Sequence, residues 1–464
     1  MIVAACSSSS SPAGTPDASV RDAPPADAAA SPDAVPPDAP AAAGNCTPNP
    51  ALASHRDACE FGAGALATAT IGDCPGASIP IEHIIVLMQE NRSFDQYYGH
   101  LPGHGQDDVD VAPIDTSNPD PDGGVALPWH HETAYCVQDT DHGWSASHEQ
   151  WNDGAMDGFA RSNVTAEDPN GHRAMGFYEE ADLPFYYKLI STFATSDRYF
   201  CSLLGPTFPN RMYLVAATSF GIVTTDVNVL APAGVPQLYS ALDAAGVTWK
   251  AYSASLSSAF LFPDYAVGHA AHLVGVDQFA TDAAAGTLPQ VAFIEASFEG
   301  KADSETDEHP PADIQLGQEF VSRHVQTLIH SPQWSSSALF ITYDEHGGLY
   351  DHVPPPAACA PDDTAPRLNP ELGGFDRLGF RVPVIVVSPY ARRNFVSHEV
   401  HSHTSILRFI ETKFGLPALT ARDANSDAML DLFDFASPPQ LDVPELPTPV
   451  VDDAALQACR LAFP

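Results

Sequence analysis

The sequence predicts an α/β fold in which a central, mostly parallel sheet carries helices on both faces. Three observations predict it. Short apolar runs alternate with segments of helical period along the chain. The apolar runs show no polar alternation, which marks strands buried on both sides. Two of them end directly in hard oxygen ligands, and open sheets of this class bind ligands at the carboxyl ends of their strands.

Along the chain of 464 residues, Val3-Ala4-Ala5-Cys6 is similar to a bacterial lipobox, with Cys6 as the lipidated residue and a possible lipid anchor. The apolar segment ahead of Cys6 is shorter than the roughly 7–15 residues of a signal peptide. Either translation starts upstream or the match is chance. Serines fill residues 7–11, and residues 12–43 are almost entirely Ala, Pro, Asp and Ser. Such a stretch buries no apolar surface, so 1–44 reads as an export segment and flexible tether. Residues 45–78 form a cysteine-bearing lead-in, 79–436 the folded body, and 437–464 an acidic, Pro-rich tail that wraps the surface, held by Cys459. Within the body, strands are expected at 84–88, 247–252, 291–295, 339–343 and 382–387. Helices are expected at 186–193, 211–218, 238–245, 317–329 and 404–414. No run of about 18 apolar residues occurs, so no transmembrane helix is expected.

Apolar residues make up 44% of the chain, enough for a sizeable core. Twenty basic residues against 59 acidic ones give a net charge of −39. That argues against a nucleic-acid partner, because phosphate backbones are bound through Lys and Arg, and it disfavours docking to anionic lipid. An exported protein with an acidic surface, secreted or held as a periplasmic or outer-surface lipoprotein, fits this balance. Of eight cysteines, Cys6 is set aside and Cys201, in Tyr199-Phe200-Cys201, is read as a buried thiol. Cys46, Cys59, Cys74, Cys136, Cys359 and Cys459 are left for three disulfides whose pairing the sequence leaves open.

The candidate chemistry lies at the strand ends. Glu90 and Asn91 follow Ile84-Ile85-Val86-Leu87-Met88-Gln89, and Asp344 and Glu345 follow Ala338-Leu339-Phe340-Ile341-Thr342-Tyr343. Two adjacent carboxylates repel unless a cation or shared proton holds them. An oxygen-rich set suits Mg, Ca or Mn, and histidine admits Zn. The bland alternative is an exposed acidic turn, which Gly347-Gly348 equally permits. In Gly205-Pro206-Thr207-Phe208-Pro209-Asn210 a helix is expected to begin near Pro209 or Asn210. Thr207 then sits just ahead of a helix N-terminus, where an anion is favoured. A hydroxyl there can bind a metal, lose its proton and attack phosphorus, or simply neighbour a helix cap. His148, His309, His346, His352 and His403 stand in polar, non-periodic contexts. Each is either a structural imidazole or one that holds a phosphate oxygen or protonates a leaving group.

Together these segments resemble the bacterial phosphoesterase family of the alkaline phosphatase superfamily, which holds non-haemolytic phospholipase C and a group of acid phosphatases. The strings that carry the likeness include IEHIIVLMQENRSFDQYYGHLPG (81–103), HEQWNDGAMDGF (148–159), DRYFCSLLGPTFPNRMY (197–213), EHPPADIQLGQEFV (308–321), YDEHGGLYDHVPPP (343–356) and SHTSILRFIETKFGL (402–416). The resemblance implies an alkaline-phosphatase-like sheet and a phosphoric ester hydrolase of phospholipase C type that acts through a covalent phosphothreonine. It implies one divalent ion (Ca, Mg, Mn or Zn) on Glu90, Asn91, Thr207, Asp344 and Glu345. Thr207 matches the nucleophile, and His148 and His309 match histidines around the phosphate. Asn91, His346 and His403 are expected on the substrate, a small phosphoester or a phospholipid. Two departures stand out: Pro263-Asp264-Tyr265 with isolated His269 and His272 replace paired histidines, and Ser402 replaces an aspartate before His403. An acid-phosphatase-type phosphomonoesterase and a non-catalytic surface-binding lipoprotein are the alternative readings.

Overall fold

The fold was read from a computed structural model that describes residues 46–298 and 301–464, with Thr47 described by its backbone alone. The expected tether and Cys6 lie outside the described residues. Eight strands form the main sheet: β1 His83–Gln89, β2 Ala194–Ser196, β3 Trp249–Ser253, β4 Leu273–Gly275, β5 Val291–Glu295, β6 Ser337–Tyr343, β7 Val384–Val387 and β8 Phe395–Ser397. Their spatial order is β4-β3-β5-β1-β6-β7-β2-β8. Only β7 runs against its neighbours, β6 and β2. The sheet is therefore mostly parallel, as the apolar runs predicted.

All five expected strands are present. The central ones are apolar throughout because both faces are covered: Ile84 to Leu87 of β1 are at most 1% exposed, and every residue of β6 is buried. β2, β4 and β8 were not foreseen. Each has three residues, too few to show a period.

Nine helices of eight or more residues accompany the sheet among the described residues. They are α1 Pro50–Asp57, α2 Trp144–Trp151, α3 Pro184–Thr192, α4 Thr207–Ala216, α5 Leu238–Ala245, α6 Asp277–Ala285, α7 Ile314–Ile329, α8 His403–Phe414 and α9 Asp453–Ala462. None is long and apolar enough to cross a membrane. The start of α4 differs from expectation. The helix begins at Thr207 rather than at Pro209 or Asn210, because a proline in the first helical turn gives up only an N–H that lacks an intrahelical partner anyway.

The chain's ends are tied down. Disulfides join Cys46 to Cys74, Cys59 to Cys359 and Cys136 to Cys459, and Cys201 is a buried free thiol. The first two anchor the lead-in, whose Ala67, Ile71 and Cys74 enter the main hydrophobic core. The third anchors α9, a helix the sequence reading took for irregular tail. Asp452 caps it, accepting from the Ala454 and Ala455 amides.

Candidate active site

β1 and β6 are adjacent and parallel, with Gln89 level with Tyr343. The next residues, Glu90-Asn91 and Asp344-Glu345, therefore leave the sheet side by side. The Asn91 N–H donates to Asp344 Oδ1 at 3.2 Å, and the Glu345 N–H donates to the same oxygen at 2.7 Å. Glu345 Oε2 accepts from the Gly347 N–H at 2.7 Å. Gly347 has φ +66°, and a Cβ there would lie 2.5 Å from the Asn91 carbonyl oxygen, so only glycine lets the two strand ends close on each other.

Arg211 of α4 joins the acids. Its Nη2 lies 2.9 Å from Glu90 Oε1 and its Nε 3.2 Å from Asp344 Oδ2. Thr207 stands one helical turn earlier on the same helix, so it shares the face that meets Glu90 and Asp344. It is 7% exposed. Pro206 just before it and His142 line one open cleft of about 620 Å³ together with Thr140, Trp144 and Asn369.

His142 is a site residue that the sequence reading missed. Its Nε2 lies 3.2 Å from Asn91 Nδ2 and 3.7 Å from Glu345 Oε1. Burial works against its charge, yet the Glu345 and Asp139 carboxylates outweigh that and push it up to about 9. The polar run Asp139-Thr140-Asp141-His142 just ahead of α2 was the available signal. Arg211 was missed too, although it lies inside a quoted motif at helical spacing from Thr207.

The remaining histidines divide. His309 joins the site: its ring meets that of His142 edge-on, with centroids 5.5 Å apart, and burial holds it below the ordinary imidazole value. His148 does not join it. Its ring donates to the Trp144 carbonyl at 2.7 Å and packs on the Trp144 indole, because it falls four residues along α2 on the Trp144 face. No contact links it to the acids among the described residues. His346 and His403, expected on substrate, are fully buried behind the acids. His346 donates to Gln150 Oε1 at 2.7 Å and packs on Phe380, and burial holds it neutral. His403 donates from Nε2 to the Asp344 carbonyl at 2.7 Å and accepts from the Tyr199 hydroxyl at 2.9 Å; burial pushes it down to about 4. Both orient the acid loop from behind. His352 lies with Asp95 in a separate buried cluster.

Burial, reinforced by the Glu90 charge, pushes Asp344 up to about 6. Burial also raises Glu90, against the pull of Arg211, and raises Glu345 well above the carboxylate range, against the pull of His142. Asn91 Oδ1 and Glu345 Oε1 are buried with no hydrogen-bond partner. An orphan amide oxygen and an orphan carboxylate oxygen beside two more acids fit the donor set of a hard divalent cation.

The Phosphoesterase family model matches residues 81–417. Phospholipase C B of Mycobacterium tuberculosis is 36% identical over 435 residues, which cover 82% of each chain. Non-hemolytic phospholipase C of Pseudomonas aeruginosa is 33% identical over 446 residues, covering 83% of this chain and 61% of that one. Among solved structures, a protein in the alkaline phosphatase superfamily from Vibrio parahaemolyticus is 11% identical with a TM-score of 0.36, covering 73% of this chain and 80% of that one.

Proposed function

Because the chain belongs to the Phosphoesterase family, we propose that it is a metal-dependent phosphoric ester hydrolase, a phosphodiesterase of phospholipase C type that works through a covalent phosphothreonine. The observation that carries this reading is the pair of orphan buried oxygens, Asn91 Oδ1 and Glu345 Oε1, aligned with Glu90 and Asp344 beside the Thr207 helix. The names of the curated relatives support the substrate class.

Glu90, Asn91, Asp344, Glu345 and the Thr207 hydroxyl are the proposed ligands of one divalent ion, Ca, Mg, Mn or Zn. When bound, that ion supplies positive charge that lowers the hydroxyl pKa and draws in phosphoryl oxygens. The Thr207 hydroxyl gives its proton to solvent and its oxygen attacks phosphorus in line, and the bond to the leaving alcohol breaks as charged His142, with His309 beside it, gives that alcohol a proton. Water then attacks the phosphothreonine, its proton passes to the imidazole, and Thr207 is restored. His142, positively charged beside the cleft, also holds a phosphoryl oxygen. The rigid acid loop supplies positioning, which carries most of the catalysis in phosphoryl transfer.

The three disulfides support export, since such bonds persist in oxidising compartments. A lipid anchor at Cys6 belongs to the same reading.

Thr207→Ala tests the nucleophile. We expect loss of nearly all hydrolysis of p-nitrophenyl phosphocholine with the melting temperature unchanged; full activity would overturn the assignment. Preference for p-nitrophenyl phosphate over the diester would instead make the protein a phosphomonoesterase.

A further inference from the structure

Glu308 takes no part in the proposed chemistry, although it is fully buried and immediately precedes His309. Its carboxylate meets four donors. The Tyr186 hydroxyl of α3 and Gln89 Nε2, the latter at 3.3 Å, donate to Oε1. The Tyr97 and Tyr343 hydroxyls donate to Oε2 at 2.6 and 2.8 Å. Two donors on each oxygen suit an ionised carboxylate, which only accepts. Burial pushes the three phenols well above their ordinary value and so keeps them protonated as donors. Burial pushes Glu308 up as well, against the pull of the tyrosine hydrogen bonds and the Arg92 charge.

Three of these donors come from segments that carry the site. Gln89 ends β1 just before Glu90, and Tyr343 ends β6 just before Asp344. Tyr97 lies in the short helix Phe94–Tyr98 that follows Asn91. Main-chain bonds repeat the pattern. Arg92 Nε donates to the Glu308 carbonyl at 2.9 Å, and the Glu90 N–H donates to the Asp307 carbonyl at 2.8 Å. Glu308 takes φ +71°, which a residue other than glycine holds only where its surroundings over-determine it. Gly317 lets α7 lie against it, since a Cβ there would collide with Glu308 Cγ.

We infer that Glu308 is a positioning residue for the hydrolysis: its buried carboxylate ties the ends of β1 and β6 to the segment bearing His309, and so fixes the His142–His309 pair relative to the acids. It touches neither the substrate nor the ion. The inference rests on the proposed function, in which that pair serves the leaving alcohol.

Hydrogen exchange and kinetics on the full chain test it. Glu308→Gln keeps the shape of the side chain but sets an amide donor where donors already stand. Peptides holding Glu90 and residues 306–312 should exchange about tenfold faster than in wild type, and those of α6 at the same rate. For p-nitrophenyl phosphocholine, kcat should fall about tenfold. For phenyl phosphocholine, whose more basic leaving group has greater need of a proton, it should fall about a hundredfold, with KM little changed in both. Adding Glu308→Gln to His309→Ala should cost little more than His309→Ala alone, because both act through one imidazole. Tyr186→Phe removes a single donor and should give the same pattern at smaller amplitude, which serves if Glu308→Gln folds poorly. Unchanged exchange in both variants refutes the inference. Equal losses on the two diesters, or a fully additive loss with His309→Ala, refute it as well. A wild type inactive on both diesters overturns the hydrolase reading instead, and the exchange result then decides by itself whether Glu308 ties these segments together.

Discussion

The Asn91 backbone N–H donates to the Asp344 carboxylate at 3.2 Å, across 253 residues of chain. Asn91 takes φ +62° to do so, a conformation asparagine tolerates better than most side chains. The bond locks the end of one parallel strand to the end of its neighbour, and the carboxylates and the carboxamide then point into one space. The following consequences can be measured.

Gly347→Ala should strain this lock. The new Cβ would stand 2.5 Å from the Asn91 carbonyl oxygen, at a φ that L side chains rarely adopt. A loss of about 2 kcal/mol in urea melts is expected, with activity down roughly a hundredfold because Asn91 must shift. A variant as stable and active as wild type would mean the two loops are free to part.

His403→Phe removes the donor to the Asp344 carbonyl while keeping a buried ring of similar bulk. Such supporting groups are worth about 10–100-fold in metal affinity. Metal titration should show that loss with little change in secondary structure. Unaltered affinity would make His403 a packing residue only.

Arg211→Met leaves Glu90 and Asp344 buried without their guanidinium. Removing one partner of a buried ion pair costs about 3–5 kcal/mol. The melting temperature should fall sharply in chelator, and added divalent metal should restore more of it than in wild type. A variant indifferent to metal would show that the acids do not share a cation.

His352 should give the fold a pH dependence. Burial opposes its charge, but the Asp95 hydrogen bond at 2.7 Å and the charges of Asp95 and Asp351 outweigh burial and the Arg381 repulsion, so its folded pKa is raised. Its Nε2 also faces Asp110 at 3.1 Å. A raised folded value means the stabilisation is complete below the unfolded value of about 6.5 and is lost as pH climbs through the folded one. Unfolding free energy should decline from about pH 6.5 upward, and His352→Gln should flatten that decline. An identical slope in the variant would assign it to another group.

Much of the sheet was legible because buried strands read as apolar runs, and the motifs Glu90-Asn91 and Asp344-Glu345 sit directly at their ends. The helix bearing Thr207 was read two or three residues late, since Pro209 resembles a start signal and yet fits inside the first turn. His148 and His142 illustrate the limit of a local reading. Both lie in polar stretches, and only the tertiary packing turns His148, on α2, to Trp144 and brings His142, ahead of that helix, to Glu345.

The sequence alone determined that strands end in paired oxygen ligands, that a threonine stands at a helix start, and that the chain carries disulfides and a strongly acidic balance. Those features follow from side-chain type and short-range period, which are local properties. The tertiary structure decided that β1 lies beside β6, that Arg211 bridges Glu90 and Asp344, and that His346 and His403 are fully buried instead of facing the cleft. Pairing between distant strands and the depth of a side chain depend on how whole elements pack, and no window of sequence contains that information.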